Sequence, residues 1–264
     1  MSEFSAEWLA LREPADWQSR STRVTEAIIA VLPKERAVRA VDLAAGTGSN
    51  VRFLARTMPK PQAWLLVDAS AQLLERARRM TGFDVRTQAV DLSQTPGLTD
   101  LVAQKDFVTA SALLDLVSAQ WLQAVCAACQ RQRSAVLFAL SYDGRMNCRP
   151  EEPEDELVRN LVNRHQHTDK GFGRALGPDA AAHAAELLES LGYTVIRERS
   201  DWVLDSESLL LQQQLIEGWA SAAIGMAPSE TGAIERWRTR RMDHVTQGRS
   251  RVVVGHEDVG AFIA

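Results

Sequence analysis

Five residues of this chain stand where small turns and carboxylates can hold a nucleotide. Gly46 and Gly48 lie in a run of small side chains, Asp42 precedes them, and Asp68 and Asp91 follow. Ala44, Ala45, Gly46, Thr47 and Gly48 leave room for a ligand to lie against the backbone where a parallel strand ends. Asp68 falls twenty residues past Gly48, and a carboxylate at that distance can accept both hydroxyls of an adenosine ribose. A dinucleotide fingerprint requires a third glycine where Val51 stands, so a pyrophosphate ligand is disfavoured.

The segment Ala37 to Leu140 resembles the class I S-adenosylmethionine-dependent methyltransferases, whose first motif is an acidic residue followed by G-x-G-x-G. That motif falls here on Asp42, Ala44, Gly46 and Gly48, with Ala44 in place of the first glycine. Alanine there leaves slightly less room beside the ligand. The resemblance implies S-adenosylmethionine as cofactor and S-adenosylhomocysteine as product. It implies that the methionine part lies along Ala44, Ala45, Gly46 and Gly48, with Asn50 and Ala110 nearby. Asp68 and Ala69 meet the ribose, and Asp91 and Leu92 meet the adenine. Arg20 could reach the cofactor's carboxylate or, equally, pair at the surface with Glu13 or Asp16.

On the acceptor side no motif fixes the chemistry. Methyl transfer from a sulfonium needs mainly positioning and exclusion of water, with a base where the acceptor is a hydroxyl or an acidic carbon. Asp115 follows the fourth strand and Tyr142 and Asp143 follow the fifth, while His165 and His167 precede a glycine-broken turn. His165 or His167, backed by Asp115 or Asp143, is the expected general base, with Lys170, Arg174 or Arg145 steering negative charge. Against this, two histidines ending a helix also serve its negative C-terminal end.

Apolar periodicity supplies the frame for these groups. Strands are expected at Val38–Leu43, Ala63–Val67, Val85–Val90, Phe107–Ala112, Val136–Leu140, Tyr193–Arg197 and Arg251–His256. The resemblance orders them as a Rossmann-like α/β fold, a seven-stranded, mostly parallel sheet. Its last strand is antiparallel and inserted between the fifth and sixth. Helices are read at Glu7–Leu11 and Ala15–Leu32, Asn50–Thr57, Glu154–His167 and from Pro178 to Gly192. Two more run from Asp205 or Ser206 to Ile224 and from Ser229 to about Val245. The expected organisation is one domain over 1–264. It has N-terminal helices at 1–35 over the mouth of the site, a cofactor-binding half at 37–140, and helical cap insertions at 150–178 and 205–248. Those insertions are expected to cover the methyl-donating side.

Bulk properties narrow the partners. A net charge of −4 and a pI near 5.8 provide no field for nucleic acid or anionic membranes. No apolar run approaches a bilayer span, and the N-terminus has no apolar leader core, so a cytoplasmic protein is expected. Cys126 and Cys129 form a C-x-x-C, but they share an apolar helical face and are read as core; no zinc spacing emerges. Arg236, Arg238, Arg240 and Arg241 form a basic cluster flanked by Glu235 and Asp243. The expected partner is therefore a small-molecule acceptor, with O-, N- or C-methylation open and a homodimer left open. RNA methylation and a non-catalytic, S-adenosylmethionine-binding regulatory role stand as alternatives, and a dehydrogenase is weaker still.

Overall fold

The computed structural model describes residues 5–93 and 97–263. The first four and the last residue of the expected domain, and 94–96 of its cofactor half, lie outside the described residues. Eight strands form one sheet: β1 Val38–Leu43, β2 Gln62–Asp68, β3 Arg86–Ala89, β4 Phe107–Ser111, β5 Ala135–Arg149, β6 Thr194–Arg199, β7 Trp202–Leu204 and β8 Arg251–Phe262. The strand order is β3-β2-β1-β4-β5-β8-β6, with β7 paired to β8. β1 to β5 pair in parallel, and β8 runs antiparallel between β5 and β6. This is the expected Rossmann-like sheet with one further strand.

The helices are α1 Ala6–Ser19, α2 Thr22–Val31, α3 Ser49–Leu54, α4 Ala71–Met80, α5 Leu98–Val102, α6 Ala119–Gln132, α7 Asp155–Gln166, α8 Ala180–Ser190, α9 Leu209–Met226 and α10 Thr231–Thr246. Val41, Val67, Val108 and Val136 belong to a core shared with α6 and α8, whereas Ala40, Leu66, Phe107 and Leu137 join a second core with α2, α3 and α4. Cys126 and Cys129 are fully buried in the first, and burial pushes the Cys126 thiol up to about 12. A third core joins α7, α9 and α10 to the far ends of β5 and β8 and to β7.

Three boundaries differ from the sequence reading for physical reasons. The N-terminal helix continues through Pro14 and breaks at Arg20, because the Ser21 amide leaves the helix to donate to Asp258 Oδ2 at 3.0 Å. The fifth strand does not end at Leu140. The polar run to Arg149 pairs with β8, and two register shifts absorb Leu140 and Gly144 at positive φ, which in sequence read as a loop. Asp205 does not cap α9; its carboxylate accepts the Glu207 amide, and the helix begins at Leu209. Ser229 likewise falls within a short 3-10 turn that precedes α10.

Candidate active site

The carboxyl ends of β1, β2 and β4 surround a cavity of about 450 Å³, within the range of small-molecule sites. The turn after β1 is its floor. Ala44 and Gly46 both adopt left-handed backbone, at φ +55° and +52°. At Ala44 this costs an L-residue about 1–2 kcal/mol, so the departure from glycine is a matter of backbone conformation more than of room. A Cβ on Gly46 would meet Leu9 Cδ1 at 3.0 Å, so the turn and α1 approach each other closely here.

Asp68 ties the turn down. Its Oδ2 accepts the Gly46 amide at 2.8 Å and its Oδ1 accepts the Ser70 amide at 2.9 Å, leaving lone pairs on both oxygens facing the cavity wall. Asp91 is exposed, and bonding from Ser93 holds its carboxyl below the usual range. The neighbouring Leu92 carbonyl accepts Trp121 Nε1–H at 2.6 Å, which fixes that peptide at the cavity edge.

At the other end lies a chain of buried polar groups. Asn50 Nδ2 donates to Asp42 Oδ1 at 2.8 Å and to Thr109 Oγ1 at 3.1 Å, while its Oδ1 accepts Arg20 Nη1–H at 2.8 Å. Burial pushes the Asp42 carboxyl up to about 7, against the pull of Asn50 and Arg20. Three buried atoms of this network lack a hydrogen-bond partner, Arg20 Nε, Arg20 Nη2 and Asp42 Oδ2. A cationic donor and a carboxyl oxygen, both unpartnered, thus belong to residues that line one cavity. The surface pairing considered for Arg20 does not occur: Glu13 pairs with Arg52 and Asp16 with Arg12.

The cavity wall brings together Arg20, Asp42, Ala44, Ala45, Gly46, Asn50, Asp68, Ala69, Asp91 and Leu92. Gly48 and Ala110 lie outside it. Gly48 backs the turn against Ala77, Leu66 and Thr81, and Ala110 is sealed in the core. The wall also includes groups that sequence reasoning did not single out, among them Leu9, Arg12 and Asp16 of α1, Leu113, and Phe172 of the glycine-rich turn. Only the i,i+4 spacing of Arg12 and Asp16 hinted at them. No residue of α7, α9 or α10 lines the cavity, so the cover is α1 and the Phe172 turn.

The four expected catalytic residues lie outside the cavity lining. Asp115 is buried behind it, and desolvation pushes its carboxyl up to about 6 although Arg12, the Tyr142 amide and Lys170 pull it down. Lys170 Nζ sits 3.2 Å from His165 Nδ1 and 3.0 Å from Thr168 Oγ1, and burial followed by Lys170 lowers the His165 pKa. Lys170 thus touches His165, and its charge is felt at Asp115 without a contact. His167 turns away, with Nδ1 3.4 Å from the Ala175 carbonyl and Nε2 3.8 Å from Asp179. Asp143 is neutralised by Arg145, which also binds Asp201 at 2.6 Å. Among the described residues no cluster of three or more His, Cys, Asp or Glu could hold a metal, and no helix is long and apolar enough to cross a membrane.

Residues 40–133 match the family model of the methyltransferase domain. The fold is similar along nearly the whole chain to the cyclopropane synthase MmaA2 of Mycobacterium tuberculosis, with a TM-score of 0.54 and 11% identity, covering 98% of this chain and 94% of that one. A Geobacter sulfurreducens S-adenosylmethionine-dependent methyltransferase, solved with S-adenosylhomocysteine, has a TM-score of 0.48, 15% identity and 100% coverage of both chains. Phosphoethanolamine N-methyltransferase 2 of Haemonchus contortus, solved with phosphomonomethylethanolamine and S-adenosylhomocysteine, has a TM-score of 0.49 and 13% identity, covering 99% of this chain and 59% of that one. No curated protein matches the chain by sequence. The chain thus carries a match to the methyltransferase domain over residues 40–133, set in a fold similar to that of MmaA2.

Proposed function

We propose that this enzyme methylates a small hydroxyl- or carboxyl-bearing acceptor in a site covered by α1 and the Phe172 turn. The observation that carries the reading is the orphan pair, Arg20 Nη2 and Asp42 Oδ2, at one end of a cavity whose other end is built from Asp68, Asp91 and Leu92. Arg20 takes the cofactor's carboxylate and Asp42 its ammonium. The lone pairs left on Asp68 accept the ribose hydroxyls, and Leu92 with Asp91 faces the adenine. When bound, S-adenosylmethionine supplies a sulfonium methyl with a good leaving group already attached. The chain's own residues orient that end and exclude water, for which Leu9, Leu113 and Phe172 provide apolar wall.

His165, which lies outside the cavity lining close to the Phe172 turn, is the proposed proton acceptor, with Lys170 Nζ 3.2 Å from its Nδ1. Its lowered pKa keeps the ring neutral at pH 7, the state a base requires. A nucleic-acid acceptor is disfavoured by the pairing of the basic cluster: Arg238 bonds Glu217 at 2.8 Å, Arg240 bonds Glu152 at 2.5 Å, and Arg241 is sealed against Asp155. Three of the cluster's four charges are thus paired within the protein, while Arg236 is exposed. Incubation with methyl-labelled S-adenosylmethionine and either a low-mass metabolite extract or total RNA tests this. Label is expected in the low-mass fraction, and label confined to RNA would overturn the reading.

A further inference from the structure

We propose that Asp258 is a positioning residue for the cofactor's carboxylate, acting through Arg20. The proposal rests on the reading of Arg20 as the carboxylate ligand. Asp258 lies on β8, far in sequence from the signature turn, and is completely buried. Its Oδ2 faces Arg20 Nε at 3.4 Å and accepts the Ser21 amide at 3.0 Å, and its Oδ1 accepts the Leu140 amide at 2.8 Å.

Each contact has a structural cause. Between the pairs Phe138–Val259 and Ser141–Glu257, two β5 residues oppose the single residue Asp258, which defines a bulge. The bulge puts Leu140 at φ +55° and turns its amide onto the Asp258 carboxylate. The Ser21 amide is freed where α1 ends. Asp258 therefore pins the α1–α2 junction to the middle of the sheet, and Arg20 is the residue at that junction.

The guanidinium donates a hydrogen bond from Nη1 to Asn50, is ion-paired at Nε with Asp258 at 3.4 Å without a hydrogen bond, and stacks with its Cζ 4.8 Å from the Phe53 ring centre. The Arg20 side chain is only 2% exposed, and Nη2 is left without a partner in a cavity-lining residue. A planar, five-donor group bonded at Nη1, stacked on a ring and drawn by charge toward Asp258 presents its Nε–Nη2 edge in a restricted orientation. Losing the Asp258 charge would remove the one carboxylate in ion-pair contact with a buried cation, leaving it only the longer-range pull of Asp42 and Asp16 and free to turn toward them. No other carboxylate makes an ion pair with Arg20 among the described residues.

Calorimetric titration of the full chain with S-adenosylhomocysteine and with 5′-methylthioadenosine tests this. The second ligand keeps the adenosine and the thioether but has neither carboxylate nor ammonium. Asp258→Asn is expected to weaken S-adenosylhomocysteine about 10- to 50-fold and to leave methylthioadenosine within about twofold. Arg20→Met should show the same selectivity, and the double variant should lose no more than Arg20→Met alone. Equal loss on both ligands would make Asp258 a packing residue, and unchanged or tighter S-adenosylhomocysteine would make it dispensable or a competitor; either overturns the proposal. If Asp258→Asn does not fold, the double variant, with no buried charge left alone, carries the same comparison. Its failure to fold also counts against the proposal, because Asp258 would then serve the fold without Arg20. Wild-type protein that binds neither ligand overturns the cavity reading itself, and this proposal with it.

Discussion

The two halves of the sheet handle buried charge in opposite ways. Around the ends of β1, β2 and β4, polar groups are positioned and left incomplete: Arg20 Nη2 and Asp42 Oδ2 have no partner, and both Asp68 oxygens keep spare lone pairs. Around the far ends of β5 and β8, charges are closed on one another. Fully buried Arg241 pairs with partly exposed Asp155, which Trp237 Nε1–H also bonds at 2.8 Å, and Arg240 and His244 share Glu152, although His244 Nδ1 keeps no partner. Incomplete networks cost stability and wait for a ligand, whereas closed networks hold helices in place. The contrast separates the half that binds from the half that braces.

The largest expected effect breaks the brace. Arg241→Met strands Asp155 and should destabilise the fold by about 3–5 kcal/mol in urea unfolding, while the folded protein binds S-adenosylhomocysteine within about twofold of wild type. A matching loss of affinity would show that the halves are coupled and would dissolve the contrast. His165→Ala should lower the single-turnover methyl-transfer rate by about 10²- to 10⁴-fold with cofactor affinity intact. A full rate from pH 6 to 9 on the true acceptor would mean that transfer proceeds by positioning alone. His167→Ala, by comparison, should change the rate by less than about threefold, because its ring packs on the Ala175–Asp179 turn.

The incomplete half makes a pH-dependent prediction. Asp42 titrates near 3.8 unfolded and about 7 folded, so the folded state holds an extra proton between those values. Stability of the ligand-free protein is therefore lost, by about 2 kcal/mol, as pH rises from about 5.5 to about 8. Asp42→Asn should flatten that slope. S-adenosylhomocysteine affinity should fall by up to about tenfold per pH unit below about 7, as Asp42 protonates and ceases to accept the ammonium. Affinity that is flat through this range would remove Asp42 from the ligand's ammonium.

The same contrast explains what the sequence disclosed. β1 was legible to the residue, and Asp68 and Asp91 followed, because a parallel strand, a small-residue turn and an acid at the next strand end are local patterns. Asp258 and the burial of Arg20 were not legible, since their partnership spans most of the chain and depends on a β5 bulge that no local pattern encodes. The run after Leu140 read as a loop because Gly144 and its polar neighbours carry turn chemistry, which pairing with β8 overrides. α1, placed over the mouth of the site by its position before the first strand, lines the cavity, whereas of the two cap insertions only Phe172, from the first, reaches it.

The central claim is that this incomplete cavity is the cofactor's, and Asp68 tests it most directly because both of its oxygens are fixed by backbone amides and face one ligand group. Calorimetric titration of S-adenosylhomocysteine into wild type and Asp68→Ala should show a loss of about 30- to 150-fold, or about 2–3 kcal/mol. The variant should stay folded with a lowered thermal midpoint, a cost of about 1–3 kcal/mol, since the buried Gly46 amide loses its acceptor. Unchanged affinity in a folded Asp68→Ala protein would contradict the assignment.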